Sequence, residues 1–140
     1  MGYYLRIAQT VSLRGDCRRS QVGAVVVLMD KRTAFFGYNG TPTPGVAGCL
    51  AGACPRGLKT YSERPSTADY SDCIGVHAER NATRTATSSG ADLYGASVYV
   101  TREPCEDCKQ LIFGTWLIKE VFWLPFGQMT RKEWWEGQNR

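Results

Sequence analysis

The sequence predicts a three-layer α-β-α sandwich, in which helices cover both faces of a mixed β-sheet. Three observations support this fold class. Apolar runs typical of strands alternate along the chain with segments of helical periodicity. The first two strand runs are joined by a short polar turn, so we expect them to pair as an antiparallel hairpin. The later strands arrive through helical crossovers, a connection typical of parallel strands.

The amino-terminal part predicts one helix and the hairpin. Residues 3–14 carry apolar side chains at helical spacing. Residues 22–29 form a continuous, valine-rich run, which predicts a strand buried on both faces. Residues 33–38 predict its hairpin partner, which ends at an Asn-Gly pair.

The carboxyl-terminal part predicts alternating helices and strands. Pro104 suits the first turn of a helix, because its missing N–H would have no partner there. The predicted elements are a helix over residues 76–88, a strand over 96–101, a helix from Pro104 to about Trp116, a strand over 119–124 and a short helix over 128–140.

The length of 140 residues fits one domain, so we expect residues 1–140 to form a single domain with a long insertion at about 41–75. The insertion is rich in Gly, Pro and Cys. A structureless loop of this length is uncommon in a compact domain, so we expect a metal to hold it. No stretch reaches the ~20 apolar residues of a membrane span, and the first residues do not resemble a signal peptide. We therefore expect a cytoplasmic protein, in the host cytoplasm if viral, with no membrane partner.

Charge and cysteine content narrow the possible functions. A net charge of +4 fits an anionic substrate or simple solubility, and it is too small to indicate nucleic-acid binding. The chain contains six cysteines and one histidine. In a reducing compartment, clustered cysteines more often bind metal or take part in catalysis than form disulfides.

Four residues have the spacing of a catalytic zinc site. Cys105 and Cys108 lie three residues apart at a predicted helix start, where both sulfurs share one face and the helix dipole favours thiolates. With His77 they provide three zinc ligands and leave a fourth position for water, whose pKa zinc lowers. Glu79 is close enough to move the protons of that water without being a ligand. His-x-Glu followed by Pro-Cys-x-x-Cys is typical of zinc-dependent nucleobase deaminases.

Other interpretations of these residues remain open. The Cys-x-x-Cys pair could be half of a structural zinc site or a redox pair, although no thioredoxin-like context is visible. His77 could be an ordinary core histidine. A zinc module without activity is a further possibility, but it would have no use for Glu79.

Several segments resemble the cytidine/deoxycytidylate deaminase superfamily, and most of all its deoxycytidylate (dCMP) deaminases. The resemblance covers roughly residues 5–124, and the Gly-Tyr-Asn-Gly segment together with Asn81 favours the dCMP group. The matching segments are residues 19–26, Gly37 to Gly40, His77 to Ala82, 98–101, Pro104 to Cys108, and 118–121.

This resemblance implies a fold of the cytidine deaminase type and a zinc-dependent hydrolysis of dCMP to dUMP and ammonia, which supplies dTMP synthesis. It implies that Asn39 hydrogen-bonds the nucleotide and that Arg19 lies near the 5′-phosphate, a role that suits a guanidinium. Ser20 and Ala78 are the other implied substrate contacts. The family also implies a homo-oligomer, often a hexamer, with dCTP and dTTP as effectors.

The four remaining cysteines could complete a structural zinc site, since four thiolates satisfy tetrahedral zinc. Structural zinc sites in several dCMP deaminases support this interpretation. Buried or free thiols, or a disulfide between Cys49 and Cys54, are the alternatives. The cysteines concerned are Cys17, Cys49, Cys54 and Cys73.

Three features depart from the dCMP deaminase pattern. Arg80 occupies a usually apolar position and is reminiscent of free cytidine deaminases. Residues 113–117 lack the usual small-residue ending, and the chain ends soon after the predicted fourth strand. Trp134 and Trp135 would be unusual on the surface of a monomer, which favours self-association. Deamination of free cytidine or deoxycytidine therefore remains an alternative activity. Deamination of tRNA adenosine or single-stranded DNA is a separate alternative, although it would need a basic channel and the arginines of this chain are scattered rather than clustered.

Overall fold

The computed structural model describes residues 2–16, 20–40 and 76–138. The elements follow one another as four helices and five strands within these ranges. They are α1 (Tyr3–Ser12), β1 (Gly23–Val27), β2 (Ala34–Tyr38), α2 (Ala78–Ser88), β3 (Ser97–Val100), α3 (Glu106–Phe113), β4 (Glu120–Trp123), β5 (Gly127–Thr130) and α4 (Arg131–Gln138).

The five strands form one mixed sheet in the order β2-β1-β3-β4-β5. β1 pairs antiparallel with both β2 and β3, whereas β3 and β4 run parallel. The hairpin and the parallel crossover are thus confirmed. The amino end of β1 lies beside the carboxyl ends of β2 and β3, since Gly23 is opposite Tyr38 and Ala24 is opposite Val100.

Alternating residues of β1 pack into two apolar clusters, one on each face of the sheet. Ala24 and Val26 join the larger cluster, which contains side chains of α2 and α3. Val25 and Val27 pack with Ala8 of α1 on the opposite face. All five residues of β1 are buried, as the continuous apolar run predicts. The three-layer sandwich is therefore confirmed.

The carboxyl-terminal tail differs from the prediction. A single helix was expected over residues 128–140, but Gly127–Thr130 form a fifth strand antiparallel to β4, and helix α4 begins only at Arg131. These four residues lack an alternating apolar pattern, so pairing with β4 decides their conformation. The prediction of four strands was therefore wrong, because the sheet has a fifth.

Helix α3 is also shorter than expected. It ends at Phe113 rather than near Trp116, and Gly114 is its C-cap. Trp116 then adopts a positive φ of 63°, which helical backbone excludes. None of the helices in the described ranges is long and apolar enough to cross a membrane.

Candidate metal centre and active site

Two helix starts converge at the edge of the sheet where β2 and β3 end. His77 is the N-cap of α2 and Cys105 is the N-cap of α3, and neither side chain caps its own helix. Asn, Asp, Ser and Thr are the residues that stabilise this position. A histidine and a cysteine therefore forgo cap stabilisation, and their side chains remain available to each other.

The three predicted metal-binding side chains lie together. The Nδ1 atom of His77 is 3.2 Å from the Sγ atom of Cys108 and 3.7 Å from that of Cys105. All three donor atoms lie within 4.8 Å of one another. Among the residues that the structure describes, this is the one group of three or more such donors able to hold a metal ion.

The donor set fits zinc. Two sulfurs and one imidazole nitrogen are typical zinc ligands, and tetrahedral zinc holds a nitrogen and a sulfur ligand about 3.5 Å apart. The two nitrogen–sulfur separations, 3.2 and 3.7 Å, bracket that value. Three protein ligands also leave the fourth position open, which is the arrangement of catalytic zinc sites.

The Cys108 thiol lies in an environment that opposes its ionisation. Burial, together with the charge of Glu79 and the neighbouring Cys105, raises the pKa of this thiol well above its ordinary value. A cation among the donors would reverse this balance, because the thiolate is the form that binds metal.

Glu79 lies in the first turn of α2 and is only 4% exposed. Its carboxylate acts on Cys108 through charge and hydrogen bonding, so it lies beside the metal-binding group. It is not one of the three donors. A buried carboxylate in this position is suited to moving protons rather than to binding the metal.

Three of the four predicted substrate contacts fall within the described residues. The Asn39 side chain forms two hydrogen bonds with the backbone. Its Oδ1 accepts from the N–H of Val22 at 2.8 Å, and its Nδ2 donates to the carbonyl of Ser20 at 2.7 Å. These two bonds hold the backbone of residues 20–22, which leads into β1. Ala78 is fully buried at the start of α2. Arg19 and the four cysteines of the predicted structural zinc site, Cys17, Cys49, Cys54 and Cys73, lie outside the described residues.

The sequence did not single out the ion pair beside the metal-binding group. Lys109 directly follows Cys108, and its buried ammonium lies 2.9 Å from the carboxylate of Glu103. A lysine next to a Cys-x-x-Cys segment was the available signal, but burial of its side chain is a tertiary feature.

Asn81, like Asn39, uses its side chain to hold the backbone. Its Nδ2 donates to the carbonyl of Tyr38 at 2.8 Å and so connects α2 to the end of β2.

The family assignment follows from a family model. The model of the cytidine and deoxycytidylate deaminase zinc-binding region matches residues 1–124, which contain all three donors and Glu79. The chain belongs to this family. It is therefore a zinc-dependent deaminase, and the expected superfamily, fold type and zinc cofactor are confirmed.

Curated members of the family include relatives from a phage and from yeast. The chain is 45% identical over 124 residues to the deoxycytidylate deaminase of Mycobacterium phage D29, covering 86% of this chain and 91% of that protein. It is 33% identical over 122 residues to the deoxycytidylate deaminase of Saccharomyces cerevisiae, covering 86% of this chain but 36% of the yeast protein.

Among solved structures of the family, the dCMP deaminase of cyanophage S-TIM5 in complex with dCMP and dUMP is similar to this fold. Its TM-score is 0.62 at 27% identity, with 86% of this chain and 76% of that chain covered. The apo form of the same enzyme gives a TM-score of 0.63 at 26% identity, covering 86% and 78% of the two chains.

Proposed function

We propose that this deaminase converts dCMP and water to dUMP and ammonia. The observation that carries the proposal is the buried Glu79 carboxylate beside three converging zinc-type donors. The choice of dCMP is supported by the relatives from phage D29 and yeast, which are named deoxycytidylate deaminases, and by the cyanophage enzyme solved with dCMP and dUMP.

In this proposal His77, Cys105 and Cys108 hold the zinc ion, which when bound activates a water molecule for attack on the ring carbon bearing the amino group. Glu79 takes one proton from the water and delivers it to the ring nitrogen, then takes the second proton from the hydroxyl added to the ring carbon and delivers it to the amine, which leaves as ammonia. The buried surroundings of Glu79 keep bulk water away from this exchange. The starts of α2 and α3 set the geometry, because His77 and Cys105 are their N-cap residues and Cys108 lies in the first turn of α3.

Recognition of the nucleotide is assigned to residues at the same edge of the sheet. We infer that Ser20, Asn39 and the backbone at Ala78 contact the substrate, and that Arg19 contributes charge near its phosphate. Asn39 still has one amide hydrogen and one oxygen lone pair after its two backbone hydrogen bonds, so a further contact is compatible with its bracing role.

The decisive experiment compares wild type with Glu79→Gln in the zinc-loaded state. We expect Glu79→Gln to retain zinc and to lose at least ~100-fold in turnover of dCMP, because general acid–base catalysis contributes this much. Glu136→Gln, at an exposed position of α4, is the matched control and should behave as wild type. Dissociation of zinc from Glu79→Gln, or full activity in it, would contradict the assigned role.

Substrate choice is tested by competition among dCMP, deoxycytidine and a single-stranded oligonucleotide in one reaction. Selective loss of ammonia from dCMP is the expected result. Equal turnover of deoxycytidine would favour a nucleoside deaminase, and reaction of the oligonucleotide alone would favour a nucleic-acid deaminase.

Further features of the family complete the proposal. We propose that residues 1–140 form a single domain, that Cys17, Cys49, Cys54 and Cys73 hold a second, structural zinc ion, and that the protein works in the cytoplasm, of the host if it is viral. A zinc content near two ions per chain, falling to one in Cys49→Ser, would test the second zinc site.

We also propose a homo-oligomer, such as a hexamer, that responds to dCTP and dTTP. Native mass spectrometry with each nucleotide would test assembly and effector binding.

A further inference from the structure

Arg102 lies at the same edge of the sheet as the metal-binding group. It follows β3 by two residues and precedes Cys105 by three. The backbone N–H of Thr101 donates to the carbonyl of Gly23 at 3.1 Å, and the N–H of Gly23 donates to the Thr101 hydroxyl at 3.2 Å. These bonds bring the segment before β1, which contains Ser20, against the segment that leads into α3.

A chain of hydrogen bonds aligns the Arg102 side chain. Its Nη1 atom donates to the hydroxyl of Ser20 at 3.2 Å. The carbonyl of Ser20 accepts from Asn39, whose other amide atom accepts from the N–H of Val22. Asn39 in turn lies beside Gly40, which pairs with Val76 next to His77. Arg102 is thus connected to the metal-binding group through backbone that the Asn39 side chain holds in place.

The charge of Arg102 is not neutralised within the described ranges. Its contact there is with a neutral hydroxyl, and it forms no ion pair with a described carboxylate. Its sequence neighbour Glu103 is engaged with Lys109 at 2.9 Å. An exposed guanidinium next to a serine hydroxyl, without a carboxylate partner, is well suited to a phosphate group.

We propose that Arg102, aligned by Ser20, binds the 5′-phosphate of the nucleotide substrate and so determines the preference for a nucleotide over a nucleoside. This inference rests on the proposed function and adds a residue to it. The guanidinium can donate two parallel N–H hydrogen bonds to the phosphate, and the Ser20 hydroxyl can donate a further one once it turns towards the phosphate.

The test measures kcat/KM for dCMP and for deoxycytidine in wild type, Arg102→Gln and Arg102→Lys. Arg102→Gln should lose about 10- to 100-fold on dCMP, mainly through KM, because a charged hydrogen bond is removed. Its kcat/KM for deoxycytidine should stay within about threefold of wild type. Arg102→Lys retains the charge without the planar fork, so its loss on dCMP should be intermediate.

Arg6→Gln is the matched control, because Arg6 is also an exposed arginine. It lies in the first half of α1, where the Tyr4 hydroxyl donates to the carbonyl of Lys31 in the β1–β2 turn, at the end of the hairpin away from the site. Calorimetry provides a readout other than turnover: affinity for dUMP should fall in Arg102→Gln, while affinity for deoxyuridine should not. If Arg102→Gln fails to fold, Arg102→Lys carries the comparison.

The outcomes separate this inference from the proposed function. If wild type prefers dCMP and Arg102→Gln retains that preference, or loses equally on both substrates, Arg102 does not bind the phosphate and the inference is overturned alone. If wild type turns over deoxycytidine as well as dCMP, the dCMP assignment fails, and the inference fails with it.

Discussion

The ammonium of Lys109 lies 2.9 Å from the carboxylate of Glu103, and this ion pair joins the two ends of the segment that carries Cys105 and Cys108. The lysine side chain is 8% exposed, whereas Glu103 is 59% exposed and Glu106, at 3.5 Å, is 80% exposed. A buried ammonium requires a partner, so the pair constrains the backbone between the two zinc-type donors.

We expect Glu103→Gln to lower the free energy of unfolding by about 1 kcal/mol and to weaken zinc retention, because Lys109 would be left buried without its nearest carboxylate. Chemical denaturation and zinc release to a competing chelator measure the two effects. Glu106→Gln is the matched control, and its exposed, longer contact should contribute less than about 0.5 kcal/mol. Equal effects of the two substitutions would show that the short contact has no special role.

Gly37 allows α2 to lie directly against β2. A Cβ atom at this position would come within 2.2 Å of the Ala82 nitrogen and 2.6 Å of the Ala78 carbonyl oxygen, both of them backbone atoms. We expect Gly37→Ala to destabilise the fold by about 2 kcal/mol and to reduce turnover, because α2 carries Glu79 and begins at His77.

Gly137→Ala is the control for this substitution, since a Cβ atom there meets nothing within 4 Å. In a helix it should be neutral or slightly stabilising. Thermal unfolding followed by circular dichroism measures both variants. A Gly37→Ala protein with unchanged melting temperature and turnover would contradict the packing argument.

The two adjacent tryptophans of α4 have different environments. Trp134 packs against the larger apolar cluster, with its ring centroid 6.0 Å from that of Phe113. Trp135 is 47% exposed and meets Trp116 edge-on. We expect Trp134→Ala to cost about 3 kcal/mol of stability and Trp135→Ala less than about 1 kcal/mol. Urea denaturation gives the comparison, and losses of similar size would contradict it.

Removal of zinc should lower stability as well as activity. A ligand that binds only the folded protein stabilises it, so we expect a chelator to lower the melting temperature by about 10 °C and added zinc to restore it. Cys108→Ser should hold one zinc ion fewer per chain than wild type by metal analysis. An unchanged zinc content in Cys108→Ser would remove this cysteine from the ligand set.

Much of the fold and the centre of the site could be predicted from the sequence, because these features depend on local patterns. The valine-rich run of β1 predicts burial on both faces, and all five of its residues are buried. The spacing of Cys105 and Cys108 at a helix start predicts sulfurs on one side, and the donor atoms of His77, Cys105 and Cys108 do lie together.

Other features arise only when distant segments meet. Residues Gly127–Thr130 become strand β5 because β4 offers an open edge, and the indole of Trp123 occupies the space where Gly127 lacks a side chain. The burial of Lys109 and the contact between Arg102 and Ser20 likewise join residues that the linear pattern does not relate.

The sequence by itself therefore determined the family, the zinc-type donors and the central strands, since each is encoded by residue type at short spacing. The tertiary structure alone decided which charges are neutralised and which remain available to a substrate. Glu103 neutralises Lys109 and leaves the neighbouring Arg102 without a carboxylate partner in the described part of the chain, and that distinction depends on distances across the sheet edge.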